Sequence, residues 1–307
     1  MILDRIRARR QHDEALYEEA LQQASENEKR KKAEEAQWGW PEDSGYPAIE
    51  RALTEEDYEL VLPLQNRALC TKASPLLFKD QAALRICDDC KLPLPGRTAD
   101  AHAYLQAIAQ RHYVETAKVY LKRNPQASVI DLGCGLNTTL RQLDNHKLQW
   151  YNIDSGNTLS LRTEFGMDTT GRIKNIDADP KEIAWFDKIH YSKRKGMIII
   201  ANDELQRWSA WEAKNFLVGV QERFPDTLVM FSCIGGDAGK PSERFRLFDL
   251  NAKAVFHAWL DKPSTRVYET SRLPEELSKA PDIAQDIRKQ LARCYSHGDQ
   301  ILVDIVF

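Results

Sequence analysis

The stretch Ser128-Val129-Ile130-Asp131-Leu132-Gly133-Cys134-Gly135-Leu136 constrains this chain more than any other. An apolar run that ends in an acid and a glycine turn reads as a buried β-strand handing over to a helix. A second strand, Gln149 to Asp154, follows and also ends in an acid. A tight turn at one end and a carboxylate about one strand and one helix later is an arrangement that holds a nucleoside. Gly133 and Gly135 let the backbone turn sharply and approach a ligand closely. Asn137 and Thr138 stand where a dinucleotide fold wants a third glycine, and Asp131 stands where it wants an apolar residue. The pattern points away from a pyrophosphate cofactor and toward S-adenosylmethionine.

Around this motif, strand and helix patterns alternate. Val129 to Leu132, Gln149 to Asp154, Ile173 to Asp177, Met197 to Ala201 and Thr227 to Cys233 read as strands, with the clearest helix over Ala210 to Phe224. Met197 to Ala201 is continuously apolar, as a strand buried on both faces would be. Two further strands, Arg266 to Ser271 and Gln300 to Phe307, flank a mostly helical Glu275 to Tyr295. The expected fold is α/β: a doubly wound, mostly parallel seven-stranded sheet preceded by a helical cap. The chain divides into a charged helical arm and linker (1–40), a helical cap (41–126) and a cofactor-binding core (127–307). The linker is marked by the glycines and prolines of Trp38 to Pro47. The arm is interrupted by no glycine or proline and carries a thin apolar stripe, so a homodimer could form through it.

Composition removes several classes of function. Acids and bases are interspersed and nearly balanced, at a net charge of −3, so no basic field suggests nucleic acid. No apolar run approaches the roughly 20 residues that span a bilayer, and Met1-Ile2-Leu3 leads directly into charges rather than a secretory signal. Cys87-Asp88-Asp89-Cys90 is a lone CxxC, without the second pair a zinc site needs, so no metal is expected. Reduced thiols and a cytoplasmic location fit this cysteine usage.

The candidate site residues sit at successive strand ends. Asp131 would accept a hydrogen bond from a ligand ammonium. Gly133, Cys134 and Gly135 form the turn, and the helix beginning near Asn137 offers free N–H groups. Asp154 lies 19 residues beyond Gly135, close to the offset of a ribose-binding acid. A carboxylate there takes both ribose hydroxyls by charge-assisted hydrogen bonds. Ser155 borders it. Asp177 would accept from an adenine amino group, and the Ala178 N–H would donate to a ring nitrogen. Asp203, in Ala201-Asn202-Asp203-Glu204, belongs under the transferable methyl. Trp208, Trp211, Phe245 and Phe248 are candidate pocket aromatics. His112, His190, His257 and His297 are scattered, with no acid recognisably paired to any of them, so no catalytic base is named.

The segments Arg67-Ala68, Ser74-Pro75-Leu76-Leu77-Phe78-Lys79-Asp80-Gln81-Ala82, Arg111-His112-Tyr113, Val129 to Leu143 and Trp150 to Asp154 resemble the leucine carboxyl methyltransferase family. The resemblance is to its bacterial branch associated with polyketide O-methylation, and covers roughly Leu64 to Ile234. It implies a class I S-adenosylmethionine-dependent methyltransferase acting on a carboxyl or hydroxyl group of a small molecule. It further implies that Arg111 pairs with the methionine carboxylate, and that Lys72 occupies the family's upstream basic position. One departure stands out: the family reads GLDTR after the turn, where this chain has Gly135-Leu136-Asn137-Thr138-Thr139. Two other readings remain at this stage: a non-catalytic interaction protein that keeps the fold, and a nicotinamide-dependent reductase.

Overall fold

The computed structural model describes residues 22, 25–26, 29, 45–94, 99–168, 170–235, 243–247, 252–261, 264–268 and 280–307. Gln22, Ser25, Glu26 and Lys29 are helical. The rest of the arm, the linker as far as residue 44, and Phe248 lie outside the described residues.

The cap consists of α1 (Glu55–Ala73), α2 (Gln81–Asp89) and α3 (Ala101–Arg123). Each has a side-chain N-cap that satisfies an otherwise orphaned N–H: Thr54 in a capping box with Asp57, Asp80 to the Ala83 N–H, and Asp100 to the Ala103 N–H. The core then alternates: β1 (Ser128–Leu132), α4 (Thr139–Leu143), β2 (Gln149–Asp154), α5 (Gly156–Glu164) and β3 (Ile173–Asp177). It continues with β4 (Met197–Ile200), α6 (Ala210–Arg223), β5 (Leu228–Cys233), α7 (Ala252–Trp259), β6 (Ser264–Tyr268), α8 (Gln285–Ser296) and β7 (Ile301–Val306).

The strands form one seven-stranded sheet in the order β3-β2-β1-β4-β5-β7-β6. β1 to β5 are parallel, and β7 runs antiparallel to both β5 and β6. This is the mostly parallel, doubly wound sheet the sequence leads one to expect. The order reverses at β1, with β2 on one side and β4 on the other. A crevice opens beyond the carboxyl ends of the strands at such a switch point.

Both faces of the sheet are covered. Trp185, Phe186, Phe216, Phe224, Phe231 and Phe256 pack with Ile130, Tyr151 and Ile199 on one side. Tyr113, Ala117 and Leu121 of α3 pack with Val129, Trp150, Ile198 and Met230 on the other. Burying each such side chain contributes about 1.5–3 kcal/mol. The cap is tied to this core twice. Leu64, Ala68 and Ile86 pack with Leu136, Leu161 and Phe165, while Ala103 and Ala107 of α3 pack with Leu291 and Tyr295 of α8. The cap therefore roofs the carboxyl edge of the sheet.

All six cysteines are free thiols. Cys87 and Cys90 are buried, and burial pushes Cys87 up to about 12 and Cys90 up to about 11. The pair serves packing, with the Cys90 thiol donating to the Pro47 carbonyl at 3.2 Å. Among the described residues no helix is long and apolar enough to cross a membrane, and no cluster of three His, Cys, Asp or Glu could hold a metal.

Candidate active site

The turn after β1 uses its glycines in two different ways. Gly133 has φ +62°, and a Cβ there would lie 2.2 Å from Glu204 Cγ, so the Glu204 side chain rests directly on the glycine. Gly135 has φ +44° and only open space where its Cβ would be. Both positions strongly disfavour an L side chain, and the second leaves bare backbone facing the crevice. The Gly135 N–H donates to Asp154 Oδ2 at 2.9 Å, and Asp154 Oδ1 accepts from the Ser155 N–H at 2.8 Å. The acid at the tip of β2 is thus fastened to the glycine turn at the tip of β1.

Two buried arginines brace the same turn from behind. Arg162 Nη1 donates to the carbonyls of Gly135 (2.8 Å) and Asn137 (3.1 Å). Its Nε and Nη2 form a two-pronged pair with Asp168 at 3.1 and 2.9 Å, the geometry a planar guanidinium suits. Arg67 of α1 donates from Nη2 to the carbonyl between those two, Leu136 O, at 2.6 Å, and from Nε to Asp80 at 3.3 Å. Asp80 Oδ2 also accepts from the Thr138 hydroxyl and from Gln110 Nε2 of α3. The cap and the turn share one buried polar network.

Asn137 and Thr139, where the chain departs from the GLDTR pattern, bond to each other, Thr139 Oγ1 donating to Asn137 Oδ1 at 2.7 Å, and the matching Thr138 lies between them. Thr138 reaches Asp80, and Asn137 Nδ2 donates to Asp131 Oδ1 at 3.2 Å. Asn202 Nδ2 approaches the same Asp131 oxygen at 3.4 Å. Asp131 Oδ2 is buried with no hydrogen-bond partner, and burial pushes the Asp131 carboxyl up to about 7.

A cleft of about 200 Å³ lies between the cap and the strand tips. Glu59 and Arg67 line it from α1, Gln106 and Tyr113 from α3, and Asn202, Asp203 and Glu204 from the segment after β4. Of the sequence candidates, Gly133, Cys134, Gly135, Asp154 and Asp203 come together on this cleft. Burial raises the Glu204 carboxyl above its ordinary value, with Arg207 opposing the shift and Asp154 reinforcing it. Arg207 Nη1 lies 3.6 Å from Glu204 Oε1.

The remaining candidates lie elsewhere. Asp131 is buried and does not line the cleft. Ser155 caps α5, accepting from the Thr158 N–H. The Ala178 N–H already donates to Asp154 O at 3.1 Å, so it is not a ready donor to an adenine ring. Asp177 is exposed and lies over Gly156, where a Cβ would be 2.8 Å from its Oδ2. Lys72 is exposed in the last turn of α1. Arg111 is directed along α3, donating to Glu115 Oε1 at 2.8 Å and to Leu77 O at 3.1 Å. The arginines at the cleft are Arg67 and Arg207; the sequence pointed to Arg67 only as part of a resemblance, with no site role. Arg162, Asp168, Asp80 and Gln110 were given no site role either.

The expected pocket aromatics also differ from expectation. Trp208 and Phe245 are core residues, and Trp211 is 71% exposed. Of the four histidines named above, His112 is paired with an acid: its Nε2 lies 2.8 Å from Asp304 Oδ1, on the α3 face of the sheet.

No family model matches the chain, and no curated protein matches its sequence. Similar solved structures include the geranyl diphosphate C-methyltransferase of Streptomyces coelicolor A3(2), with S-adenosyl-L-homocysteine bound. It is 13% identical, with 82% of this chain and 97% of that one covered and a TM-score of 0.41. The 1,6-didemethyltoxoflavin-N1-methyltransferase of Burkholderia thailandensis is also 13% identical, with coverages of 88% and 98% and a TM-score of 0.39. Likeness at this level carries no conclusion about chemistry, which rests on this chain's own residues.

Proposed function

We propose that this protein is a class I S-adenosylmethionine-dependent methyltransferase that O-methylates a small molecule, related to the leucine carboxyl methyltransferases. The observation that carries the reading is the Asp154–Gly135 contact. A carboxylate at the β2 tip faces open glycine backbone at the β1 tip, at the switch point of the sheet. Asp154 keeps unused lone pairs for ribose hydroxyls on the cleft side. Arg67 lines the cleft with Nε and Nη2 engaged and, among the described residues, no hydrogen bond from Nη1, which suits the methionine carboxylate.

Charge supports the same reading. The cleft carries Glu59, Asp154, Asp203 and Glu204 against Arg67 and Arg207. Such a lining favours a ligand of net positive charge, as a sulfonium amino acid is, and disfavours an anionic acceptor. We therefore favour a hydroxyl acceptor over a carboxylate. The bound cofactor supplies an activated methyl and a neutral leaving group. The chain's own part is to align the acceptor, exclude water and receive a proton.

Titration calorimetry with S-adenosylhomocysteine tests the reading. Asp154→Ala is expected to weaken binding by about 1–3 kcal/mol, or roughly 5- to 150-fold, the scale of a lost charged hydrogen bond. Unchanged affinity would remove the ribose assignment. A scaffold that only keeps the fold would bind no cofactor in the native protein, and a reductase would bind a nicotinamide nucleotide instead.

A further inference from the structure

The cleft contains three carboxylates close to the strand tips, and their surroundings set them apart. Asp154 spends one oxygen on the Gly135 N–H and the other on the Ser155 N–H. Glu204 is pressed onto Gly133 and lies beside Arg207. Asp203 is held through one oxygen. The Ser232 hydroxyl of β5 donates to Asp203 Oδ1, and Oδ2 receives no hydrogen bond from the described residues.

The backbone beneath Asp203 is built to hold that direction. Asn202 has φ +24°, a conformation unusual for a residue other than glycine. Its carbonyl accepts from the Ser232 N–H at 2.9 Å, and the Ser232 hydroxyl oxygen lies 3.0 Å from the same carbonyl while its one proton goes to Asp203 Oδ1. Ser232 is itself 1% exposed, in the middle of the sheet. Backbone strain persists where surrounding structure over-determines it, and it clusters at functional sites. His112, on the α3 face of the sheet, pairs with Asp304 and does not line the cleft. Tyr113, which does line it, is fully buried and held well above its ordinary value by burial, so it stays a neutral phenol.

We infer that Asp203 is the catalytic base for the acceptor hydroxyl, and that Ser232 is its positioning residue. The inference rests on the methyltransferase reading above and names the proton acceptor within it. The acceptor O–H gives its proton to Asp203 Oδ2. The oxygen lone pair forms the new C–O bond as the methyl–sulfur bond breaks, and that bond's electron pair returns to sulfur to leave a neutral thioether. The proton then passes to solvent, so the charge lost from sulfur leaves as that proton.

Two phenols that differ in their need for a base supply the test. At pH 8, 4-nitrophenol is largely ionised unaided, whereas 4-ethylphenol is not. Transfer from labelled S-adenosylmethionine to each is measured on the native protein, Asp203→Asn and Ser232→Ala. Asp203→Asn is expected to lower kcat for 4-ethylphenol about 100-fold or more, the range of general base catalysis. For 4-nitrophenol the loss should be under about threefold, because that acceptor needs no base. Ser232→Ala is expected to lower the 4-ethylphenol kcat about tenfold with little change in KM, a loss that rising pH repairs. Affinity for S-adenosylhomocysteine should change less than about twofold in both variants. Equal losses on the two phenols, no loss on either, or no transfer to either by the native protein overturns the inference. Failure to bind S-adenosylhomocysteine at all overturns the cofactor reading instead, so the two failures are distinguishable.

Discussion

Replacing Asp131 by Asn turns one buried atom into a measurable pH dependence. Asp131 is 1% exposed, its Oδ2 has no partner, and burial pushes its carboxyl up to about 7. In the unfolded chain an aspartate titrates near about 3.9. Between those values the folded protein keeps a proton that the unfolded chain has released. Stability therefore falls as pH rises from about 4 to about 7 and levels off above that. A gap of about 3 units at about 1.4 kcal/mol each puts the full cost near 4 kcal/mol, of which about 1.5 is already present at pH 5. Asn does not titrate, and it keeps an Oδ1 to accept from Asn137 and Asn202. Its buried amide hydrogens lower stability by about 1–3 kcal/mol at every pH. Urea unfolding of both proteins at pH 5 and pH 8, without ligand, separates the terms. The variant should gain on the native protein by about 2–3 kcal/mol between the two pH values. Parallel profiles, with the difference constant within about 0.5 kcal/mol, would show that Asp131 is solvated or already paired.

Two further substitutions separate bracing from binding. Arg162→Ala leaves Asp168 buried without its two-pronged partner and frees two carbonyls of the turn; a loss of about 3–5 kcal/mol in denaturant unfolding is expected. A loss below about 1 kcal/mol would mean that water takes over those bonds. Arg111→Ala removes a bond to Glu115 and one to Leu77 O, and should lower stability by about 1 kcal/mol. Calorimetry should find its S-adenosylhomocysteine affinity within about twofold of native, whereas a tenfold loss would restore Arg111 as the carboxylate's partner.

The sheet was legible because its strands are short apolar runs punctuated by acids and glycines. The second and third strands match expectation residue for residue, and the first, fourth and fifth differ by one residue at one end. Gly133, Gly135 and Asp154 were legible for the same reason, since their spacing follows from one strand–turn–helix–strand unit. The arginines were not. Arg67 meets Leu136 across 69 residues and Asp80 meets Thr138 across 58, and no local pattern encodes such contacts. His112 and Asp304 are 192 residues apart and meet only because β7 inserts beside β5. Arg111, assigned by resemblance, lies along the helix surface with its i,i+4 partner Glu115. Asn137, conspicuous as a departure from a family pattern, and its neighbour Thr138 are the residues through which the turn grips Asp131 and Asp80.

The most direct measurement is a crystal structure of the protein with S-adenosylhomocysteine. Density for the nucleoside is expected across the tips of β1, β2 and β4, with both ribose hydroxyls on Asp154, the amino-acid carboxylate on Arg67, and the sulfur facing Asp203. A ligand bound away from the Gly133–Gly135 turn, or a cleft still filled by the Glu204 side chain at saturating ligand, would contradict the assignment.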